Sequence, residues 1–323
     1  MKTKGMDNMT RHQAFLWIGI LAVILTLAGC GGKKDDKAAA GGSAETSTRT
    51  YKHAMGETVI PAKPQKVVTL QYVSQMLSVG LKPIAAPDHV LEDMGDAVKG
   101  IESLGNAENV NFEKILQLQP DLIIAGDAEQ DVYDKLSKIA PTVVVPWMNY
   151  DVSGHVKVIG DILNRQKEAE AWQKAFDAKV QEAKKQIEGK IGQGKTFAIY
   201  NIRPKEIYVY GVRNLGFTIY KALGLTPPEP VKKEIEKDPN FWAKPVSLEV
   251  LPEYSADYLL VATFLDDDSK KNLESIKKSA LWANLPAVKN NHVYELDLNR
   301  WFGYTPHDIQ NQLDDAVKLL SKP

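Results

Sequence analysis

Arginine and aromatic side chains follow several of the predicted strands of this chain. They are Tyr72, Trp147, Arg203, Arg213, Arg300, Trp301 and Tyr304, accompanied by Tyr150 and Phe302. Ligands of open α/β sheets gather at the carboxyl ends of strands. Guanidinium groups bind anionic oxygens through paired hydrogen bonds, and aromatic faces cover a bulky ligand. We therefore expect the first seven residues to bind a ligand, with at least two of the three arginines in contact with it.

Motifs of catalytic sites are absent from the sequence: neither G-x-S-x-G nor H-E-x-x-H nor G-x-G-x-x-G occurs. The six histidines are scattered without the spacing of metal ligands: His12, His53, His89, His155, His292 and His307. A zinc or manganese site would need several imidazoles or carboxylates to converge, and haem would need an axial ligand, for which His89 and His307 are candidates. We expect no catalytic residue, no metal ligand and no resident cofactor, with metal-ion and haem binding as alternatives.

Residues 189–196 match the nucleotide-binding pattern G-x-x-x-x-G-K-[ST] in full. That pattern binds phosphate only when a strand precedes the loop and a helix follows it, because the amides of the helix start surround the phosphate. Here a charged helix is predicted before the loop and a strand after it. We interpret the glycines as the end of that helix.

Two short segments repeat the same order of residues at a constant offset. Each has a capping residue, an acid two places later and an aspartate before a buried strand: Asn111, Glu113 and Asp121, then Ser247, Glu249 and Asp257. A capping box would place the acid three residues after the cap. The simplest role of Glu113 and Glu249 is to offset the dipole of a short helix, worth about 0.3 to 1 kcal/mol. Their repetition in both halves favours a shared function.

Short β-branched runs alternate with amphipathic stretches, which is typical of α/β folds. Strands are predicted at residues 66–70, 83–86, 122–124, 142–145, 196–202, 207–210, 258–262 and 293–296. Between the halves, apolar residues spaced by three or four predict one helix about 30 Å long. The fold class is therefore α/β, with two lobes of mostly parallel strands over residues 51–166 and 191–323. The connecting helix spans residues 167–190 and restrains lobe motion.

The beginning of the chain has the layout of a bacterial lipoprotein signal. Basic residues precede an apolar stretch at residues 15–28 that is short for a membrane span, and small residues stand directly before Cys30, the only cysteine. This arrangement resembles the lipobox. It predicts a signal peptide over residues 1–29, acylation of Cys30, for example with palmitate, and a disordered tether over residues 30–50. A plain secretory signal or an N-terminal membrane helix is the alternative.

Composition limits the partners and the location of the protein. The formal net charge is −1, and removal of residues 1–29 takes away three basic residues and one acidic residue, which leaves −3. This balance argues against nucleic acid as a partner. A core of this size needs no disulfide outside the cytoplasm. The residue directly after Cys30 is Gly31, not an acidic residue that would serve as a sorting signal. This favours a Gram-positive cell surface.

Several segments in a fixed order carry a family resemblance. They read IPAKPQKVVTL at 60–70, NFEKILQLQPDLII at 111–124, KLSKIAPTVVV at 135–145 and IYVYG at 207–211, followed by residues 251–261 and a Trp-containing end. From about residue 58 to residue 320 the chain resembles the substrate-binding lipoproteins of iron-siderophore ABC importers. The resemblance implies a ligand cleft between two lobes joined by a rigid helix. It also implies that Glu113 and Glu249, one from each lobe, meet arginine pockets on the permease.

The expected function is capture of a ferric siderophore and its delivery to a membrane permease by a lipid-anchored monomer. The iron arrives wrapped in siderophore oxygens, so the protein supplies no metal ligand. A haem or cobalamin carrier with the same architecture is the alternative, followed by an exported α/β enzyme. Arginines favour catecholates or carboxylates whereas aromatic residues also suit hydroxamates, so the sequence leaves the siderophore chemistry open.

The lipobox leads to a test of the anchor. Replacing Cys30→Ala removes the only acylation site, so we expect a protein that is uncleaved or released and carries no lipid. Metabolic labelling with a fatty-acid analogue measures this, with the parent chain as the labelled control. Label on the Cys30→Ala form would contradict the assignment.

Overall fold

The computed structural model describes residues 47–106 and 109–321. These residues form two five-stranded sheets, and one long helix lies between the two sheets in the sequence. The predicted signal peptide at 1–29, Cys30 and most of the predicted tether lie outside these residues. No helix in the described part is long and apolar enough to cross a membrane.

The N-terminal lobe begins with an antiparallel hairpin of β1 (Thr48–His53) and β2 (Gly56–Pro61). Its parallel sheet, in the order β5-β4-β3-β6-β7, consists of β3 (Val67–Thr69), β4 (Ala85–Ala86), β5 (Glu102–Ser103), β6 (Leu122–Ala125) and β7 (Thr142–Val144). The helices are α1 (Val73–Ser78), α2 (Phe112–Leu118), α3 (Gln130–Ser137) and α4 (Val152–Ile162). Short 3-10 helices span Asp88–Val90, Gly95–Val98 and Trp147–Asn149.

The connecting helix, α5, spans Gln166–Glu188 and has 23 residues, a length of about 35 Å. Its buried stripe, formed by Ala169, Phe176, Val180, Ala183 and Ile187, follows the predicted periodicity. Trp172 stacks on Phe176 with ring centroids 5.3 Å apart and packs against the hydrophobic cores of both lobes. The helix thus belongs to both cores, which opposes large changes in the angle between the lobes.

The C-terminal lobe has a mixed sheet in the order β10-β9-β8-β11-β12. Its strands are β8 (Phe197–Ile202), β9 (Ile207–Tyr210), β10 (Ala243–Val246), β11 (Tyr258–Thr263) and β12 (Val293–Leu296). β8, β11 and β12 are parallel, whereas β9 pairs antiparallel with both β8 and β10. The helices are α6 (Glu229–Lys237), α7 (Asp267–Lys277), α8 (Ala280–Ala283), α9 (Pro286–Lys289), α10 (Leu298–Trp301) and α11 (Pro306–Leu320). 3-10 helices at Asn214–Gly216 and Leu251–Tyr254 and a π-helix at Phe217–Ala222 complete the lobe. The prediction of α/β lobes with mostly parallel strands is confirmed.

The tether prediction extends too far into the chain. β1 begins at Thr48, so the described end of the predicted tether is a strand. Thr48 to Tyr51 contain the β-branched and aromatic residues that favour strands, and β2 provides their backbone partners. Arg49 also donates hydrogen bonds from its guanidinium to the carbonyls of Asp161 and Ile162 at the end of α4. The hairpin is therefore fixed to the N-terminal lobe.

The repeated aspartates tie neighbouring strands together in both lobes. Asp121, before β6, accepts a hydrogen bond from the backbone N–H of Gln65 at 2.7 Å, beside the start of β3. Asp257, before β11, accepts from the backbone N–H of Thr196 at 2.9 Å and pairs with the Lys195 ammonium at 2.8 Å, beside the start of β8. The lysine of the nucleotide-like pattern is thus an ion-pair partner, and α5 precedes that loop while β8 follows it, as predicted.

Candidate functional site

Trp147, which follows β7, lies where the hydrophobic cores of the two lobes meet. Its indole stacks on the imidazole of His155 with centroids 4.5 Å apart. The indole also contacts the ring of Tyr304 edge-on, with ring centroids 6.0 Å apart. Since His155 belongs to α4 and Tyr304 precedes α11, the indole joins the N-terminal lobe to the C-terminal lobe.

Arg213 makes one of the polar contacts between the lobes; another joins the His307 N–H on α11 to the Ser74 hydroxyl on α1 at 2.9 Å. Arg213 is 1% exposed, and its guanidinium donates hydrogen bonds to the carbonyls of Tyr150 at 3.1 Å and Trp147 at 3.2 Å. The guanidinium also lies over the ring of Tyr304, 4.6 Å from its centroid. A buried cation requires such partners because its desolvation is costly. In this conformation Arg213 therefore uses these donors to hold the N-terminal lobe.

Three of the aromatic candidates are buried in this conformation. Tyr72 donates a hydrogen bond from its hydroxyl to the Val145 carbonyl, and its ring stacks on Trp147 at 6.1 Å. Tyr72, Trp301 and Tyr304 are at most 3% exposed. Burial raises the pKa of the Tyr72 and Tyr304 hydroxyls, so both are neutral. Tyr72 and Tyr304 support the junction from within, whereas Trp301 belongs to the core of the C-terminal lobe.

Arg203, directly after β8, is the half-buried arginine whose guanidinium lies among aromatic rings. It stands 4.1 Å from the centroid of the Tyr208 ring and 5.3 Å from that of Phe264. Among the described residues, arginine ion pairs are limited to Arg165 and Arg300, so Arg203 has no carboxylate partner. Its Nε also lacks a hydrogen-bond acceptor there. The guanidinium also offsets part of the rise that burial causes in the pKa of the neighbouring Tyr210 hydroxyl, and without a carboxylate partner it can pair with an anionic or oxygen-rich ligand.

Arg300 is placed differently from the other two arginines. Its Nε donates to a carboxylate oxygen of Asp315 on α11 at 2.7 Å. Asp315 is 17% exposed at its side chain, so water only partly screens this pair. No described contact brings Arg300 to Arg203 or Arg213. A ligand that used Arg300 would have to compete with Asp315.

Large apolar side chains are exposed next to several of these residues. Met148 follows Trp147 and is 46% exposed, Leu265 follows Phe264 and is 59% exposed, and Trp242 is 40% exposed. Trp242 accepts a backbone hydrogen bond from Gly211, at the end of β9. The sequence analysis did not single out Phe264 or these three residues, although an aromatic directly after β11 carries the same signal as Tyr72 after β3. Exposed apolar surface of this kind favours a bulky, partly apolar ligand.

A cavity of about 620 Å³ opens at the carboxyl ends of β11 and β12. Its lining includes Phe264, Leu265, Lys270, Lys277, Glu295 and Asp297. Lys277 pairs with Glu295 at 2.7 Å, so these charges neutralise each other. Since Phe264 also contacts Arg203, the cavity adjoins the arginine.

His155 is the buried titratable group of the site. It is 0% exposed, and within the described residues neither ring nitrogen has a hydrogen-bond partner. Burial, reinforced by the positive charge of Arg213, lowers the pKa of His155 to about 4. The imidazole is therefore neutral at pH 7, and its ring stacks against the indole of Trp147. The sequence analysis named His155 only as one of the scattered histidines.

The proposed haem ligands lie in separate places. His89 is exposed in the 3-10 helix Asp88–Val90, and His307 is half-buried at the start of α11. The Nε2 atom of His307 lies 3.0 Å from the side-chain amide of Asn311. In the described part of the chain, no group of three or more His, Cys, Asp or Glu side chains is arranged to hold a metal ion.

Glu113 and Glu249 are both exposed, in different local structures. Asn111 caps α2 by accepting a hydrogen bond from the Lys114 N–H at 2.9 Å, which places Glu113 in the first turn. Glu249 instead precedes the 3-10 helix Leu251–Tyr254, so the short helix of the second unit begins after the acid rather than around it. The Ser247 hydroxyl donates to the Glu249 carboxylate and lowers its pKa.

Comparisons with known proteins place these features in context. The profile of a family described as periplasmic binding protein matches residues 67–299. The chain is 34% identical to the iron(3+)-hydroxamate-binding protein YxeB of Bacillus subtilis, over 95% of this chain and 96% of that protein. It is 33% identical to the iron(3+)-hydroxamate-binding protein FhuD of the same organism, over 94% and 96%.

Solved structures agree in fold. Staphylococcus aureus SirA complexed with staphyloferrin B has a TM-score of 0.72 at 30% identity, covering 84% of this chain and 98% of SirA. An FhuD fold-family protein from B. subtilis, described as the periplasmic binding component of a ferrichrome ABC transporter, has a TM-score of 0.74 at 32% identity. That match covers 84% of this chain and 100% of the B. subtilis protein.

The buried imidazole leads to a prediction about pH. Because the pKa of His155 is about 4 in the folded protein and 6.5 in an ordinary environment, the unfolded chain takes up a proton first as the pH falls. Stability is therefore lost between about pH 6.5 and pH 4, by about 3 kcal/mol from this group. In His155→Phe, which retains a ring beneath Trp147, we expect this part of the loss to disappear. Urea unfolding from pH 4 to 7 measures it, and parallel profiles for both proteins would refute the assignment.

Proposed function

The chain belongs to this periplasmic binding protein family, and on that basis we propose that it is the extracytoplasmic substrate-binding component of an ABC importer, which captures a ferric siderophore and delivers it to the permease. The junction of Trp147, Arg213 and Tyr304, with the open Arg203 beside exposed apolar side chains, carries the proposal. It combines aromatic faces and a cation without a metal-ligand set, which suits iron that is already coordinated.

The charges at the site favour a ferric hydroxamate over a highly anionic siderophore. Arg213 donates to N-terminal-lobe carbonyls and Arg300 pairs with Asp315, so Arg203 is the arginine free of such partners. One available cation compensates little negative charge, whereas aromatic and aliphatic faces suit a neutral or weakly charged complex. The names of the relatives YxeB and FhuD support this choice, although SirA binds staphyloferrin B.

The location follows from the same assignment. We propose that the protein is anchored by acyl chains on Cys30 to the outer face of a Gram-positive cell membrane, with no enzymatic activity of its own. Residues 51–166 and 191–323 would form the two lobes that bind the permease, and the chain would act as a monomer. The relative YfiY of B. subtilis, named as a probable siderophore-binding lipoprotein, supports the proposed location.

A titration tests the ligand class. Tryptophan fluorescence of the purified protein without residues 1–29 should respond to a ferric hydroxamate such as ferrioxamine B, because Trp147 lies at the junction. Ferric enterobactin, a catecholate, and ferric citrate should bind more than about tenfold more weakly, since unpaired negative charge is costly to bury. No response to any ferric siderophore would refute the function, and a preference for the catecholate would refute the hydroxamate choice.

The arginines should differ in their contributions to binding. Arg203→Ala and Arg213→Ala should each weaken hydroxamate binding by more than about tenfold, because truncation of a buried charge-assisted contact costs about 2 to 5 kcal/mol. Arg300→Ala should change affinity by less than about fivefold, since the Arg300 guanidinium is already paired with Asp315. Lys205→Ala, in the turn after Arg203, is the control. Equal effects at Arg203 and Lys205 would contradict the placement of the ligand.

The exposed acids should serve transport rather than capture. Glu113→Arg and Glu249→Arg should stop whole-cell uptake of iron-55 through like-charge repulsion at the permease, while affinity for the siderophore in solution stays unchanged. Glu188→Arg, at the exposed end of α5, is the matched control. Normal uptake by both variants would reduce Glu113 and Glu249 to surface residues that offset local dipoles.

A further inference from the structure

The segment that carries Tyr304 is held by side chains rather than by regular secondary structure. Helix α10 ends at Trp301 and α11 begins at Pro306, so residues 302–305 lie outside helices and strands. Carbonyl groups at the end of a helix have no partners within that helix. Here the carbonyls of three consecutive residues, 301–303, accept hydrogen bonds from only two side chains, Gln312 and Asn214, and the Arg300 carbonyl lies 3.3 Å from the Gln312 amide nitrogen.

Gln312 on α11 supplies the larger share of these hydrogen bonds. It is 0% exposed, and its Nε2 lies 2.8 Å from the Gly303 carbonyl, 3.0 Å from that of Trp301 and 3.3 Å from that of Arg300. An amide nitrogen has two hydrogens, so the two shorter contacts use both of them. A buried carbonyl left without a donor costs the desolvation of that group. Loss of the amide would therefore release the segment.

Thr218 determines which way the Gln312 amide faces. The Thr218 hydroxyl, buried in the π-helix Phe217–Ala222, donates to Oε1 of Gln312 at 2.8 Å. With the oxygen engaged there, the NH₂ group must point to the carbonyls. Insertions of π-helix often occur at functional sites, and this one brings a donor under the amide.

Asn214 completes the arrangement from the segment that carries Arg213. Its side-chain nitrogen donates to the Phe302 carbonyl at 2.8 Å. The residue has φ of +44°, a left-handed conformation that asparagine tolerates better than most residues. Since Asn214 directly follows Arg213, one hydrogen bond connects the arginine segment to the Tyr304 segment, and both meet the N-terminal lobe at Trp147.

We propose that Gln312 and Asn214 are positioning residues, an amide clamp that fixes residues 300–304 so that Tyr304 and Arg213 are held ready for the ligand at the lobe junction. The inference rests on the proposed function. It assigns a binding role to two residues that need not touch the ligand. Their effect is exerted through the backbone of the segment that they hold.

Thr218 offers a matched pair of variants for the first test. Thr218→Val has nearly the same shape but no hydroxyl, so the Gln312 amide loses its orienting donor. Affinity for ferrioxamine B should fall about tenfold in Thr218→Val and stay within about threefold of the parent in Thr218→Ser, which retains the donor. Gln310→Leu, on the same helix, is the control for a change on α11 outside the clamp.

Asn214→Gly provides a second, independent variant. Glycine retains access to the left-handed backbone conformation, so the fold of the turn is preserved while the amide is lost. Hydrogen exchange of residues 298–304 in the ligand-free protein should become about tenfold faster in Asn214→Gly and in Thr218→Val. Exchange in β8 and β11 should stay unchanged, which separates the clamp from general destabilisation.

The outcomes are distinguishable from those of the proposed function. Unchanged exchange of residues 298–304 in both variants would overturn the clamp, as would faster exchange with unchanged affinity for ferrioxamine B. Equal losses in Thr218→Val and Thr218→Ser would also overturn it, since only the hydroxyl should matter. If the parent bound no ferric siderophore, the proposed function would fail, and exchange alone would decide whether the two amides hold the segment.

Discussion

The buried guanidinium of Arg213 is the constraint on which the lobe junction depends. A cation at 1% exposure must have acceptors, and it finds them in the carbonyls of Trp147 and Tyr150, across the junction. The chain around it turns tightly: a Cβ on Gly216 would lie 1.6 Å from the carbonyl oxygen of Gly211. Any side chain there would displace the segment. The arginine thus ties the segment after Trp147 to the C-terminal lobe, together with α5 and the hydrogen bond between His307 and Ser74.

The environment of Trp147 follows from that contact. Neutral His155 stacks beneath the indole because its charged form would be desolvated beside the Arg213 cation. Tyr304 closes the opposite edge, held by the amides that bind its segment. The charge of Arg213 is therefore compensated inside the junction. Outside the junction, Arg203 lies among aromatic rings. This arrangement is the physical basis of the proposal that a weakly charged iron complex binds better than a highly anionic one.

Much of the fold could be predicted because its signals are local. The apolar period of α5 predicted the helix to within two residues of Gln166–Glu188, and β-branched runs predicted the parallel strands except the two-residue edge strand β5. β10 was missed because Ala243–Val246 contains a lysine and a proline, and only pairing with β9 makes it a strand. In the second repeat the short helix is a 3-10 helix that begins after Glu249, with Pro252 in its first turn, where a proline is tolerated.

The sequence by itself determined the two-lobed α/β class, the connecting helix and the residue types that follow the strands, because each depends on neighbours within one element. Only the tertiary structure decided that Arg213 turns inward to the opposite lobe, that Arg300 pairs with Asp315 and that Trp301 is buried. These outcomes depend on which segments meet, and Arg213 lies 66 residues from the carbonyl of Trp147 that it binds. Local periodicity carries no information about such a pairing. The burial of a side chain and its hydrogen-bond partners depend on the distant segment that packs against it.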